Sequence, residues 1–403
     1  MLTISDFIKK YSLSPACIDG RSCLDLLCHE MVLGLEGKGN IPMIPSYLPV
    51  QVQPLPNTPC CIIDAGGTNL RYAGAEFDES GQCRIFRLQK TAMPGTRAEL
   101  SCREFYHQLA RYVRQTGCEE RIGLCFSFNV QLERHLDGIL TAWCKEVRVP
   151  DAPGKPVGAS LQAAVGDRCR DVRVLNDSTA ALLGAHHADP SIQVGLILGT
   201  GINVCYPEKC TAIPKVPDDL KAEHMIISTE IGEFQGIPKT VFDREIIAAS
   251  DEPEMAHAEK QCSGAYLGEL ICRSWQTAVR EGLLQDAFLE NYTLPEISDY
   301  LAGRKTSIPW DNAAREIAAT MIGRAAKIAA ILTAGAILRC CTEGETCTMV
   351  IEGSQYAKLT GFGAALRNEL TQLLKPHGVS FAITQVENSC LLGAALAAFA
   401  EPM

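Results

Sequence analysis

The sequence has 403 residues, 47% of them hydrophobic and 21% charged, with a net charge of −10. That length predicts two or three folding units whose cores need neither metal nor disulfide, and the acidic balance argues against a nucleic-acid partner, whose phosphate backbone it repels. The nineteen cysteines include no C-x-x-C pair and sit in apolar runs such as Leu124-Cys125-Phe126, so they read as buried, reduced thiols and not as a disulfide frame or a zinc site.

The start, Met1-Leu2-Thr3-Ile4-Ser5-Asp6, lacks the basic and apolar regions of a signal peptide, which makes a cytoplasmic protein the expectation. Residues 1–40 read as helical with a break over 34–39, and the proline-rich stretch 41–59 as extended. Residues 60–64 and 71–77 are apolar strand patterns that predict a hairpin turning at Gly66-Gly67. A third strand is expected over 84–88, a helix over 101–116 and a strand over 121–128. A short strand at 172–175 leads into a helix over 177–186. Strands at 194–198 and 202–206 flank a second glycine turn, Gly199-Thr200-Gly201. Helical spacing follows at 265–280 and 311–338, then a strand at 349–351 and a helix near 391–400. The apolar runs 328–338 and 391–400 fall short of the roughly 20 residues a membrane span needs, so no membrane partner is expected. A strand, glycine turn and strand followed by helices occur twice, and the class is mixed α/β.

Two glycine turns at strand ends suggest phosphate chemistry. In Asp64-Ala65-Gly66-Gly67-Thr68-Asn69-Leu70-Arg71 the paired glycines permit close approach of backbone to ligand, and successive N–H groups form an anion nest. Thr68, Asn69 and Arg71 add donors, and Asp64 is an oxygen ligand suited to Mg²⁺ through water. Gly199-Thr200-Gly201 offers the same geometry, as if two loops gripped one polyphosphate. Neither turn matches a Walker loop or a dinucleotide fingerprint. Asn176-Asp177-Ser178-Thr179 opens a helix. It reads equally as an N-cap and as the seat of a general base at Asp177.

The order of motifs resembles the hexokinase family of the actin/Hsp70/sugar-kinase fold, from about residue 20 to the C-terminus. Phe126-Ser127-Phe128 is similar to the family's sugar loop. The segment from Gly138-Ile139-Leu140 to Trp143-Cys144-Lys145 is similar to one ending in Thr-Lys. Asn176-Asp177, Gly199-Thr200-Gly201-Ile202-Asn203, Glu230-Ile231-Gly232, Glu259-Lys260 with Ser263-Gly264 to Gly268-Glu269, Gly353-Ser354 and Gly393-Ala394-Ala395 follow in turn. The resemblance implies a two-lobed, actin-like (ribonuclease H-like) α/β fold, each lobe a mixed sheet flanked by helices with a cleft between. The expected small lobe is 58–177 plus 388–403 and the large lobe 1–57 plus 178–387.

The resemblance further implies an ATP- and Mg²⁺-dependent hexose kinase, monomeric or homodimeric. Ser127, Lys145, Asn176, Asn203, Glu230 and Glu259 would hold the sugar, and Asp177 would take the proton from its primary hydroxyl. Asp64, Gly66, Gly67, Thr68, Asn69 and Arg71, with Gly199, Thr200 and Gly201, would bind phosphates and Mg²⁺. Gly353 and Ser354 would lie near the adenosine. Four places depart from the family pattern: Asn129 for proline, Cys144 for threonine, Glu352 for aspartate, and Glu387-Asn388-Ser389-Cys390 for a glycine-richer run. The departures at Cys144, Glu352 and Asn388–Cys390 motivate an alternative, a catalytically weak sugar sensor on the same fold.

Overall fold

A computed structural model of the chain describes residues 2–143, 147–217, 219, 220 and 222–403. Lys145 and Cys144 lie outside the described residues. The chain divides into two units, each gathered from separate stretches. One comprises Met1–Met43, Leu196–Val204 and Thr229–Ile383, the other Ile44–Gly195, Cys205–Ser228 and Thr384–Met403. The segments 58–177 and 388–403 expected to form a lobe fall inside the second unit, which also takes in 44–57, 178–195, 205–228 and 384–387.

Local chemistry starts the first helices. Thr3 and Asp6 form a capping box on α1 (Ile4–Lys10), and Asp19 accepts from the first N–H groups of α2 (Gly20–Leu35). The helical stretch expected over 1–40 is thus two helices, parted by a turn around Pro15. The proline-rich segment beyond is extended and holds a two-residue strand, β1 (Ile44–Pro45).

The second unit is built on a five-stranded sheet. β2 (Pro59–Ala65) and β3 (Asn69–Phe77) form an antiparallel hairpin in which Asp64 pairs with Arg71, and β4 (Cys83–Ala92) pairs with the other side of β3. The helix α3 (Cys102–Thr116) starts at a Ser101–Glu104 capping box and stops at Gly117, which is left-handed. Then come β5 (Arg121–Phe126), a small hairpin of β6 (Asn129–Leu132) and β7 (Gly138–Ala142), α4 (Val157–Val165) and β8 (Asp171–Leu175). The sheet order is β4-β3-β2-β5-β8, with β2, β5 and β8 parallel. Phe105, Leu109, Ile122, Leu124, Phe126 and Leu161 are buried together between sheet and helices. Next is α5 (Asp177–Ala188).

A six-stranded sheet follows from β9 (Ile192–Leu198), β10 (Ile202–Lys209), β11 (His224–Ser228) and three more distant strands. The chain continues through α6 (Val241–Ala249), α7 (His257–Cys262), α8 (Gly264–Arg280), α9 (Leu294–Leu301) and α10 (Asn312–Cys340). After these come β12 (Thr346–Glu352), α11 (Ser354–Lys358), α12 (Phe362–Leu374), β13 (Ser380–Thr384) and α13 (Ser389–Ala397). The strand order is β1-β11-β10-β9-β12-β13.

The core of the first unit centres on α10, which packs against α2, α7, α8 and α12. The helix follows the helical spacing expected over 311–338 and contains the apolar run 328–338. By length and composition it would qualify as a membrane span, yet 83% of its most apolar window is buried in the protein, as in a core helix. In the second unit α13 lies backbone to backbone against α5. A Cβ on Gly393 would fall 1.9 Å from Ala180 O, and one on Gly184 2.1 Å from Ser389 O, so both positions require glycine for the approach.

Candidate active site

In the first unit an amide and two carboxylates gather behind the second glycine turn. Asn203, near the start of β10, is buried. Its Nδ2 donates to Glu230 Oε1 at 2.7 Å, and its Oδ1 accepts from the N–H groups of Glu230 at 3.0 Å and Val204 at 2.8 Å. One side chain therefore fixes both the backbone and the carboxylate of Glu230. That backbone needs fixing: its φ is +54°, a left-handed conformation that costs a non-glycine residue about 1–2 kcal/mol.

Glu259 arrives from α7. Its Oε2 accepts from Ile202 N–H at 3.0 Å. A Cβ at Gly201 would stand only 2.4 Å from that oxygen, so the last residue of the turn must be glycine to leave room for the carboxylate. The turn itself closes with Gly199 N–H on Gly201 O at 3.0 Å. Its carbonyls then cap α8: Gly199 O accepts from Gly264 N–H at 2.8 Å and Thr200 O from Ala265 N–H at 3.1 Å. Gly353, with φ +103°, passes the same turn closely, since a Cβ there would lie 2.3 Å from Leu198 O. Thr200, Gly353 and Ser354 are exposed. All the residues expected from β9 onward thus sit around one turn in one unit.

The second unit holds the other group. Arg71 clamps Asp64, with Nε at 2.9 Å and Nη2 at 2.7 Å, both from Oδ2. Its Nη1 donates to Asn388 Oδ1 at 3.5 Å. The fork joins the end of the first hairpin to the start of α13. Desolvation and the Asp64 carboxylate act on the Arg71 guanidinium in opposite senses, and its pKa ends above the ordinary value. The Gly66-Gly67 turn is tied by Gly66 N–H to Asn69 O at 3.1 Å, and Thr68 and Asn69 face solvent. Ser127 follows β5 directly, its N–H on Ala65 O at 3.1 Å.

Asn176 caps α5, its Oδ1 accepting from Ser178 N–H at 2.8 Å and Ser178 Oγ at 2.7 Å. Asp177 is the first residue of the helix, in the first turn where acidic side chains are common. Asn176 Oδ1 and Asp177 Oδ1 share the Ser178 N–H, each at 2.8 Å. Beneath this segment lie three cysteines, one of them Cys390 from the run that departs from the family pattern. Cys390 Sγ donates to Asp177 O at 3.7 Å and Cys205 Sγ to Ser178 O at 2.9 Å. The Cys390 thiol, together with burial, pushes the Cys125 thiol well above its ordinary value. Cys125 and Cys205 are inert packing groups at neutral pH.

Two family models, both described as hexokinase, match the chain, one over residues 3–187 and the other over 193–400. The chain belongs to the hexokinase family. Among relatives, Hexokinase-7 of Oryza sativa subsp. japonica is 32% identical over 427 residues, which spans 92% of this chain and 91% of that protein. Hexokinase-like 1 protein of Arabidopsis thaliana is 34% identical over 264 residues, or 60% of this chain; that match spans only 52% of the Arabidopsis protein. The solved hexokinase from Schistosoma mansoni, complexed with glucose, superposes with a TM-score of 0.82 over 98% of each chain at 24% identity. The α/β sugar-kinase fold is shared.

Within the hexokinase fold the departures from the family pattern have visible settings. Asn388 is left-handed, φ +56°. Asparagine tolerates that conformation better than most side chains, so the tight start of α13 survives without glycine. Asn129 opens β6, and its carbonyl accepts from Thr141 Oγ1 at 3.0 Å. Glu352 ends β12, one residue before Gly353.

Proposed function

We propose that this hexokinase-family chain is an ATP-dependent kinase that transfers the γ-phosphoryl group to the 6-hydroxyl of glucose or a related hexose. The observation that carries the reading is the cluster of Asn203, Glu230 and Glu259, in which Asn203 holds Glu230 and the Ile202 N–H holds Glu259. Carboxylates and amides held in fixed positions can meet a fixed pattern of neighbouring hydroxyls. In this reading Ser127, Lys145 and Asn176 complete the sugar contacts. Asp177 accepts the proton of the 6-hydroxyl. The phosphoryl-transfer transition state is loose, so the proton leaves late and the carboxylate's main task is to orient the nucleophile.

The Gly66-Gly67 nest with Thr68, Asn69 and Arg71, and the Gly199-Thr200-Gly201 turn with Gly353 and Ser354, would hold the nucleotide. Among the described residues no three His, Cys, Asp or Glu side chains form a cage for a metal. A Mg²⁺ ion, which keeps most of its waters, would rely on phosphate oxygens and on Asp64, whose Oδ2 carries the Arg71 fork. Bound there, it would neutralise charge on the transferring phosphoryl group. A cytoplasmic setting, which keeps thiols reduced, goes with this reading.

A coupled assay over a hexose panel with ATP, GTP and pyrophosphate tests the activity; failure with every pair sinks it. Asp177→Ala is expected to lower kcat by about 10²–10⁴-fold, the usual worth of a positioned acid–base group. Turnover within a few-fold of the parent would remove Asp177 from that role. The second reading, a sugar sensor, is favoured by the replacements at Glu352 and Asn388. Calorimetry that shows hexose binding without Mg-ATP binding would select it.

A further inference from the structure

The structure assigns Glu233 and Lys260 as positioning residues for the hexose-binding carboxylates, tying together the two segments that carry Glu230 and Glu259. The inference rests on the reading of that cluster as the hexose site. Neither residue belongs to the cluster itself.

Glu230 is followed by the single helical turn Ile231–Glu233. Glu233 ends that turn, and its Oε2 accepts from Ala256 N–H at 2.7 Å. Ala256 is the residue before α7, with φ +54° and no side-chain cap. A helix start normally relies on its own Ser, Thr, Asp or Asn. Here the capping acceptor comes instead from the segment that carries Glu230. One hydrogen bond therefore links the left-handed backbone at Glu230 to the left-handed entry of the helix bearing Glu259.

Lys260 works from the helix side. It neighbours Glu259, is 3% exposed, and turns back over the preceding loop. Its Nζ donates to Glu252 O at 2.5 Å and Met255 O at 2.7 Å. His257 Nε2 engages Pro253 O at 2.9 Å. The loop entering α7 is closed by side chains of α7 itself. The two segments also touch: a Cβ at Gly232 would lie 3.0 Å from Glu259 Cβ. A shift of α7 along its axis would carry the Glu259 carboxylate off Ile202 N–H. Burial raises the pKa of Glu233 and lowers that of Lys260. Both charged groups are thus held at a desolvation cost, in a place where a neutral cap on α7 would serve stability alone.

The test is glucose binding by calorimetry without nucleotide, beside KM for Mg-ATP and thermal melting. Glu233→Ala removes the acceptor, Glu233→Gln keeps an oxygen for Ala256 N–H, and Lys260→Met removes the clamp. Glu233→Ala and Lys260→Met are expected to raise the glucose Kd at least about tenfold, with KM for Mg-ATP within about twofold and Glu233→Gln within about threefold of the parent. A glucose Kd unchanged in Glu233→Ala or Lys260→Met overturns the inference. So does a parallel rise in KM for Mg-ATP, or a Glu233→Gln loss equal to that of Glu233→Ala. If Glu233→Ala does not fold, Lys260→Met and Glu233→Gln decide by the same criteria. A parent chain that binds no hexose overturns the proposed function and this inference with it, a result distinct from variants that bind as the parent does.

Discussion

A methyl group on Gly201 would stand 2.4 Å from Glu259 Oε2, so Gly201→Ala must push the carboxylate away from Ile202 N–H. A hydrogen bond to a charged group is worth about 1.5–3 kcal/mol, and the expected outcome is a rise of about 10–100-fold in KM for hexose. Steady-state kinetics of the variant, with KM for Mg-ATP as the internal comparison, checks this. The glycine was legible in the sequence, but for another reason. Its place in Gly199-Thr200-Gly201 reads as a phosphate turn, whereas its contact with Glu259 depends on how a distant helix packs. Asp64 and Arg71 illustrate the same limit. Their strand register follows from the hairpin pattern, while the fork that Arg71 sends on to Asn388 joins residues no local pattern connects.

Among the elements, α7 has six residues, too few for a helical period to show in sequence, and an alanine stands at its N-cap. Its position comes from tertiary bonds. Behind it, Arg324 of α10 donates to Gln261 Oε1 at 3.0 Å and Asp243 Oδ2 at 2.8 Å, with the charged pair 4% and 1% exposed. Arg324→Met leaves the Asp243 carboxylate buried without its cation. Breaking a buried pair on one side typically costs about 3–5 kcal/mol. The measurement is the urea midpoint with its slope; a loss under 1 kcal/mol would mean the pair is better solvated than its burial indicates. The long helices and the first hairpin were predictable because capping residues, apolar periodicity and a glycine turn coincide there. The hairpin of β6 and β7 and the strand β11 were not, because their short runs carry neither a full period nor a strong turn signal.

Across the whole molecule the cysteines behave as small apolar residues. Among the described residues none forms a disulfide, and only Cys17 is exposed. Burial pushes Cys61 up to about 12, and Cys83 and Cys169 up to about 11, from an ordinary 9.0. A raised pKa lowers the thiolate fraction at any given pH, so iodoacetamide under native, reducing conditions at pH 8 should modify Cys17 first and leave Cys61, Cys125 and Cys205 intact. Peptide mapping reads this directly. The linkage has a definite sign. Above pH 9 the unfolded chain loses thiol protons that the folded chain keeps, so stability is full below 9 and falls as pH rises toward 11–12. Melting curves at pH 8 and 10 should differ in that direction.

The close seam between α13 and α5 has a consequence for synthesis. α5 leaves the ribosome about two hundred residues before the helix that covers it, and β5 earlier still. At typical elongation rates of roughly 5–20 residues per second, the glycine-lined groove waits about 10–40 s, uncovered and apolar, for its own chain to return. The second unit takes both Ile44–Gly195 and the late stretch Thr384–Met403, which makes this seam a stretch of the nascent chain with need of a chaperone.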